Sequence, residues 1–175
     1  NHAIKLFRFD LNSRLMTTNK LSNNQVAVSL IAGSGSRISG TNDSLFAEES
    51  LFNLPSALMW SGPAVGLIVS DTGNHSLRRV YQDPIFQNPI FQDPNILQFF
   101  DHPDLTNRFS VETYAGRATI PGFTNGPLNA ALFNSPSALI RDPEGDLLIV
   151  DSGNNALRRI QITPLLPRVN NPTIG

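Results

Sequence analysis

Short apolar runs alternate along the chain with segments rich in Gly, Pro, Asn and Ser. The runs are four to seven residues long, the length of strands rather than of helices, in residues 28–32, 66–70, 76–81 and a run that begins at Pro55. The run at 66–70 is apolar almost throughout, which indicates a strand that is buried on both faces. The pattern predicts an all-β protein.

The same order of runs occurs twice. The phrase "DTGNHSLRRV" at residues 71–80 returns as "DSGNNALRRI" at residues 151–160, and "LFNLPSAL" returns as "LFNSPSAL". The second set of strands is expected at residues 111–115, 147–150, 156–162 and in a run from Pro136. A repeat of about fifty residues is typical of a solenoid, a propeller or an array. Four strands per unit, with middle strands covered on both sides, favour a propeller blade.

The repeated phrase is expected to form the turn between the third and fourth strands. Gly73 and Gly153 are predicted to supply a positive φ, and Asp71 and Asp151 to accept hydrogen bonds from main-chain N–H groups. Asn74 and Asn154 tolerate the left-handed region of backbone conformation. The exchange of His75 for Asn155 is explained by local hydrogen bonding, which either side chain can provide.

These residues resemble the NHL repeat, a family named for its Asn-His-Leu motif. The resemblance rests on Ala-Gly, Gly-Phe-x-x-Gly and Leu-Phe-Asn-x-Pro-Ser, followed by an apolar strand and "DTGNHSLRRV". It covers residues 26–82 and 111–162, and residues 1–10 resemble the last strand of a preceding repeat. The resemblance implies a β-propeller of four-stranded antiparallel blades, a fold that serves recognition or scaffolding more often than catalysis.

Two full repeats cannot close a propeller ring, which needs roughly four to eight blades. We therefore interpret the chain as an incomplete ring, either a piece of a longer protein or one unit of an assembly. In one form of assembly, the strand at residues 3–10 completes the sheet of a neighbouring molecule. Uncovered blade faces would leave apolar patches in water, which indicates a missing partner or further blades.

The repeats divide the chain into five regions. Residues 1–25 contain the strand of a preceding blade and a linker, residues 26–82 and 111–162 form blades, residues 83–110 form a Pro-rich inserted loop, and residues 163–175 form a Pro-rich tail. The loop is too apolar for a free linker. It either folds back over its own blades or contacts a partner, and its candidate contact residues are Ile85, Phe86, Ile90 and Phe91. Trp60, the only tryptophan, either anchors a partner or packs in a turn.

Composition narrows the function classes. The chain has 175 residues and a formal net charge of -1, so no overall field attracts nucleic acid or an anionic membrane. The absence of cysteine excludes disulfides, thiolate metal ligands and cysteine nucleophiles. The compartment stays open, although extracellular is favoured over cytoplasmic because Asn42-Asp43-Ser44 is a candidate glycosylation site at Asn42.

No convergent catalytic set is visible. Of the three histidines, His2 and His75 hold equivalent repeat positions, and His102 lies beside Asp101 and Asp104 in the inserted loop, where solvated charge is favoured over a metal site. The sequence therefore predicts no catalytic residue, no metal site and no cofactor. The arginine pairs at 78–79 and 158–159 are a feature that an RNA-binding surface would need. However, neighbouring side chains on a strand point to opposite faces, so each pair is split between the two faces. We expect these arginines to pair with carboxylates between blades or to lie on the solvated outer edge.

The sequence thus favours a non-enzymatic scaffold or protein-interaction module built from propeller blades, which as a structural unit of a larger or polymeric assembly would have further copies of the chain as partners. One alternative is a fragment of a propeller lyase or hydrolase whose active site lies on missing blades. A second alternative is an RNA-binding propeller, which would need a continuous positive surface with aromatic stacking partners.

Overall fold

The computed structural model describes residues 3–8, 27–84 and 108–162, and within these ranges every regular element is a short strand or a single turn of 3-10 helix. The strands are β1 (Ile4–Arg8), β2 (Ala27–Ala32), β3 (Pro55–Trp60), β4 (Leu67–Asp71), β5 (Ser76–Tyr81), β6 (Ser110–Ala115), β7 (Pro136–Arg141), β8 (Leu147–Asp151) and β9 (Ala156–Ile160). The 3-10 turns are Ala47–Glu49, Thr72–Asn74 and Ser152–Asn154.

These strands form three antiparallel sheets. Strands β1 and β2 form a two-stranded sheet, here called the half-blade. Strands β3, β4, β5 and β6 form the first blade in that order, and β7, β8 and β9 form the second blade. The predicted all-β fold of antiparallel blades is confirmed, and the ring is incomplete.

The blades are out of phase with the sequence repeats. The sequence predicted that the four strands of one repeat share a sheet, but β2 pairs with β1, and β6 of the second repeat pairs with β5 of the first. The reason is packing, because Ile31 and Ala32 of β2 lie in a buried cluster with Val69 and Val80 of the first blade. Strand β2 is therefore part of a layer stacked on the first blade, not a strand at its edge.

The core consists of two clusters between stacked sheets. One lies between the half-blade and the first blade and includes Phe52, Val69 and Val80. The other lies between the two blades and contains Ile68 and Leu77 from the first blade, with several residues of the second repeat. The alternate side chains of β4, Ile68 and Val69, thus enter different clusters, which confirms that this strand is buried on both faces.

Several predictions fall on other parts of the chain. The candidate contact residues Ile85, Phe86, Ile90 and Phe91 lie outside the described residues, as do His2, His102 and the tail at 163–175. Strand Ile4–Arg8, at which the sequence predicted a contact with a neighbouring molecule, pairs with β2 of the same chain. In the part of the chain that the structure describes, no helix has the length and apolar character needed to cross a membrane.

Candidate functional site

Asp71 organises the turn that follows β4. Its Oδ1 accepts a hydrogen bond from the main-chain N–H of Asn53 at 2.7 Å, and its Oδ2 accepts from the side-chain amide of Asn74 at 2.7 Å and from Nη1 of Arg78 at 3.1 Å. Burial raises the pKa of the Asp71 carboxyl, and these three hydrogen bonds oppose the increase. The carboxylate therefore ties the turn to the preceding loop and to β5.

The prediction that the turn glycines supply a positive φ is wrong. Neither Gly73 nor Gly153 has a positive φ. Glycine is required at position 73 because a Cβ there would lie 2.6 Å from the side chain of Asn53, whose amide donates to the Gly73 carbonyl at 3.1 Å. Asn134 crowds Gly153 and donates to its carbonyl in the same way.

The left-handed residues are His75 and Asn155 rather than Asn74 and Asn154, with φ values of 56° and 51°. The His75 side chain does not bond locally as predicted. Its Nδ1 accepts a hydrogen bond from the main-chain N–H of Ser135 at 3.0 Å, which lies just before the first strand of the second blade. His75 thus links the two blades.

Asn74 and Asn154 have a different task. The amide of Asn74 donates to the carbonyl of Gly40 at 2.7 Å, and the amide of Asn154 donates to the carbonyl of Gly122 at 2.8 Å. Each asparagine also donates to the aspartate of its own turn, Asp71 or Asp151. Each therefore binds its turn to the long loop of its own repeat.

Arg78 is a fully buried cation with two carboxylate partners, Asp71 at 3.1 Å and Asp43 at 2.6 Å. Its guanidinium also donates to the carbonyls of Asn42 and Leu51, at 2.9 and 3.0 Å. Because a buried charge is tolerated only when it is paired and hydrogen-bonded, this arginine is structural. It is not available to a ligand.

The second blade repeats this network with one difference. Arg158 pairs with Asp151 at 3.0 Å, and Asp151 also accepts the main-chain N–H of Asn134 at 2.7 Å. Asn125 takes the place of Asp43 and accepts from Nη2 of Arg158 at 2.6 Å. The network therefore holds one carboxylate fewer than in the first blade.

The remaining arginine of each pair also has an acid partner. Arg79 pairs with Glu112 at 3.1 Å across β5 and β6, and Arg159 pairs with Asp146 at 2.6 Å. Each carboxylate partner lies in the same repeat or the same sheet as its arginine, not between blades as the sequence suggested. The four arginines therefore do not form a free basic patch.

Hydroxyl groups connect the blades beside His75. Thr72 donates to the carbonyl of Pro136 at 2.6 Å, and Ser56 donates to the carbonyl of Ser137 at 3.0 Å. The counterparts of these two donors in the second blade are Ser152 and Ser137, whose hydroxyls contact each other. The second blade thus carries the same donors on its opposite, uncovered side.

The uncovered blade faces are the most conspicuous surface feature. Leu157 of β9 is 75% exposed, whereas its counterpart Leu77 is fully buried between the blades. On the opposite side of the stack, Leu58 of β3 is 53% exposed, whereas its counterpart Leu139 is 8% exposed. The positions that hold one blade against the next are therefore repeated on both outer faces of the pair.

Three further exposed apolar side chains belong to the same two faces. Ile140 and Val150 lie on the second blade with Leu157, and here they define the rear face. Trp60 lies on the first blade with Leu58, and these two residues define the front face. Trp60 ends β3 and is 58% exposed, so it is not packed in a turn.

Asn42, the candidate glycosylation site, lies in an exposed part of the long loop of the first repeat. Its side-chain amide donates to the carbonyl of Glu49 at 2.8 Å. A glycan on this nitrogen would have to be accommodated alongside that bond. Among the described residues, no group of three or more His, Cys, Asp or Glu side chains is arranged to hold a metal ion.

Comparison with known proteins identifies the fold and nothing finer. No protein-family model matches the sequence, and no curated protein sequence matches it. An auxiliary nutrient binding protein from Bacteroides thetaiotaomicron is similar in structure, with a TM-score of 0.61 at 18% identity over 91% of this chain. An auxiliary nutrient binding protein from Bacteroides ovatus is similar at a TM-score of 0.58 and 20% identity, also over 91%.

A structural genomics protein of unknown function from Bacteroides thetaiotaomicron is similar over 75% of this chain, with a TM-score of 0.54 and 21% identity. The chain spans 32% of the length of each of the two auxiliary nutrient binding proteins and 26% of the length of the structural genomics protein. It is therefore an all-β protein of antiparallel, propeller-type blades that corresponds to part of a larger fold.

Sequence reasoning predicted uncovered blade faces but did not identify the residues that form them. Leu77 and Leu157 stand in nearly identical phrases, so no local signal tells which of them is covered. It also missed the contact from His75 to the next blade. The signal that could have found it is the exchange of His for Asn, because both side chains place an acceptor two bonds beyond Cβ.

Proposed function

We propose that this chain is a non-enzymatic scaffold and protein-interaction module, and that its front and rear blade faces are the binding surfaces. The observation that carries the proposal is the exposure of Leu157, whose counterpart Leu77 is fully buried between the blades. Contiguous apolar surface of this kind is typical of protein interaction sites.

The polar networks support a structural use of the charged residues. Asp71 and Asp151 are buried and engaged by arginine, asparagine and main-chain donors, so neither is placed for acid–base chemistry. The arginines are paired with carboxylates, which does not favour RNA binding. The two alternatives make different predictions. A fragment of a propeller enzyme predicts catalytic turnover by a chain with further blades, and an RNA-binding propeller predicts an RNA affinity that falls steeply with salt concentration.

A nutrient-binding role is a second candidate function. It is favoured by two of the similar solved structures, which are described as auxiliary nutrient binding proteins. A ligand that binds the native state raises the melting temperature. The test is therefore the thermal stability of the full chain with monosaccharides, oligosaccharides and short peptides, and a melting temperature that none of them changes would contradict this candidate.

The interaction role is tested by capture with matched variants. Tagged full chains of wild type, Leu157→Asp and Ile38→Asp are incubated with an extract of the source cells, and bound proteins are identified by mass spectrometry. Ile38 is a suitable control because it is exposed and apolar but lies on neither face. We expect a protein that wild type and Ile38→Asp retain and Leu157→Asp loses. Equal recovery with all three chains, or no specific recovery, would contradict the proposal.

A further inference from the structure

The chain contains two incomplete sheets whose strands correspond to different parts of one blade. In the half-blade, Ile4 is opposite Ala32, with a register shift at the next position. In the first blade, Leu77 of β5 is opposite Ala115 of β6, with a register shift at the same place. Strands β1 and β2 thus correspond to β5 and β6, the third and fourth strands of a complete blade.

The second blade has the complementary set. Its strands β7, β8 and β9 pair in the same register as β3, β4 and β5, and among the described residues it has no fourth strand. Within the same residues, the half-blade has the third and fourth strands, β1 and β2, but no first or second strand. Strands β1 and β9 correspond to the same position in a blade.

Within the described ranges, the outer edge of β9 is open along the place where the fourth strand belongs. In the first blade, Val80 of β5 is opposite Val111 of β6 along this edge. Ile160 is the counterpart of Val80, and among the described residues no strand pairs with β9 on this side. A cleft of about 190 Å³ lies there, and Phe133, Arg158 and Ile160 contribute to its lining.

We propose that a second copy of this chain fills this place, so that β9 of one copy pairs with β2 of the next copy and takes the position of β1. The composite blade would consist of β7, β8 and β9 from one copy and β2 from the other. By correspondence with the first blade, Ile160 would lie opposite Val28, and Leu157 opposite Ala32. The inference rests on the proposed function and names the partner that the blade faces bind.

The same docking covers both exposed faces. Inside the chain, Leu139 of the second blade lies in one buried cluster with Leu77 of the first. Between copies, the equivalent contact would place Leu58 of the front face against Leu157 of the rear face. Each copy therefore carries both halves of the contact, one on each side.

Replacement of β1 by β9 of another copy is favoured because β9 belongs to a three-stranded sheet, which buries more surface than β1 does. Strand β1 brings only itself to β2, whereas β9 brings two further strands that would cover Leu58 and Trp60. The charges also fit. Arg79 needs Glu112 of β6, and β2 has Ser29 at that position, but Arg159 already pairs with Asp146 of its own sheet at 2.6 Å.

The contact is heterologous, since the rear face of one copy meets the front face of the next, and such contacts build rings or open filaments. Each copy supplies two complete blades to the assembly. Because propellers have roughly four to eight blades, a closed ring would contain about two to four copies.

Mixing two variants tests the direction of this contact. Light scattering after size exclusion should give wild type and Ile38→Asp masses of about two to four times 19.1 kDa. We expect Leu157→Asp and Leu58→Asp each to be monomeric, because each lacks one face. Their equimolar mixture should form a heterodimer and stop there, since each variant still has the face that the other lacks. Circular dichroism and thermal melting verify that both variants are folded.

Engineered cysteines test the register against a background that has no cysteine. Ile160→Cys and Val28→Cys are placed on separate chains, mixed and oxidised, and we expect a disulfide-linked heterodimer. The control mixes Ile38→Cys with Val28→Cys and should give little product. Trp60, the only tryptophan, should shift its emission to shorter wavelength as protein concentration rises, and Leu157→Asp should abolish the shift.

A wild-type chain that stays monomeric up to millimolar concentration would overturn the inference, and so would variants whose mixture fails to associate. Equal disulfide yield from Val28→Cys with either partner would overturn the register. These outcomes leave the proposed function separately testable. If the extract still yields a protein that Leu157→Asp loses, the blade faces bind a partner other than a second copy.

Discussion

At the scale of single residues, His75 and Asn155 hold the same position in the two repeats, and of these two side chains only that of His75 bonds to another blade among the described residues. Both lie in the left-handed region, and Nδ1 of histidine and Oδ1 of asparagine are the same number of bonds from the main chain. Nδ1 of His75 accepts from the N–H of Ser135 at 3.0 Å, so the imidazole carries its proton on Nε2. The position thus requires an acceptor aimed at the next blade.

We therefore predict that His75→Asn is tolerated and His75→Ala is not. Alanine leaves the N–H of Ser135 without its partner, which we expect to reduce the free energy of unfolding by about 1–3 kcal/mol. Asn155→Ala is the control, because it places alanine in the same left-handed conformation where, among the described residues, the side chain makes no hydrogen bond. Urea denaturation measures the free energy of unfolding of all three variants. Equal losses for His75→Ala and Asn155→Ala would mean that only the backbone conformation matters.

Gly73 allows a sharper test because its constraint comes from a neighbour and not from its own φ. In Gly73→Ala the new Cβ would lie 2.6 Å from the side chain of Asn53, and we expect a loss of about 1–3 kcal/mol from this overpacking. In an Asn53→Ala background the same substitution should cost clearly less. A double-mutant cycle from chemical denaturation gives the coupling. Additive losses would show that another contact excludes alanine.

At the scale of strands, the sequence predicted most elements but not their grouping. The runs at 28–32 and 76–81 appear as β2 and β5 within one residue of their predicted bounds, because short apolar runs between turn residues identify strands locally. Which strands share a sheet is decided by pairing between repeats, such as Val80 with Val111, and by the packing of Ile31 on the first blade. The repeat in the sequence does not show which strand begins a sheet. Any four consecutive strands contain one copy of each strand of the repeat, so every choice of starting strand fits the pattern equally well.

The counterpart positions on β5 and β9 predict opposite sensitivities. We expect Leu77→Ala to cost about 2–5 kcal/mol, since it removes a fully buried side chain between the blades. Leu157→Ala should change stability by less than about 0.5 kcal/mol, since its side chain is 75% exposed. Chemical denaturation at low protein concentration separates this effect from self-association. Similar losses for both would indicate that Leu157 is covered under those conditions.

At the scale of the whole molecule, the candidate site depends on which blade faces are covered by other blades. The turn residues Asp71 and Asp151 could be found from the sequence, because their partners lie within the same repeat. The faces around Leu58 and Leu157 could not, because exposure depends on whether another blade follows, and the phrase around each residue is the same in either case. The resemblance to larger solved chains is consistent with this, since the chain spans only 32% of two of them.

The blades should also unfold together, because their shared cluster couples them as neighbouring repeats are coupled in stacked proteins. We predict that urea unfolding of wild type gives coincident transitions by Trp60 fluorescence, which reports on the first blade, and by circular dichroism, which reports on all strands. Leu77→Asp places a carboxylate between the blades and should separate the two transitions. Leu157→Asp introduces the same group on the exposed face and should leave them coincident. Coincident transitions in Leu77→Asp would show that other contacts couple the blades. The hydrogen bond between His75 and Ser135 would then be the next contact to remove by mutation.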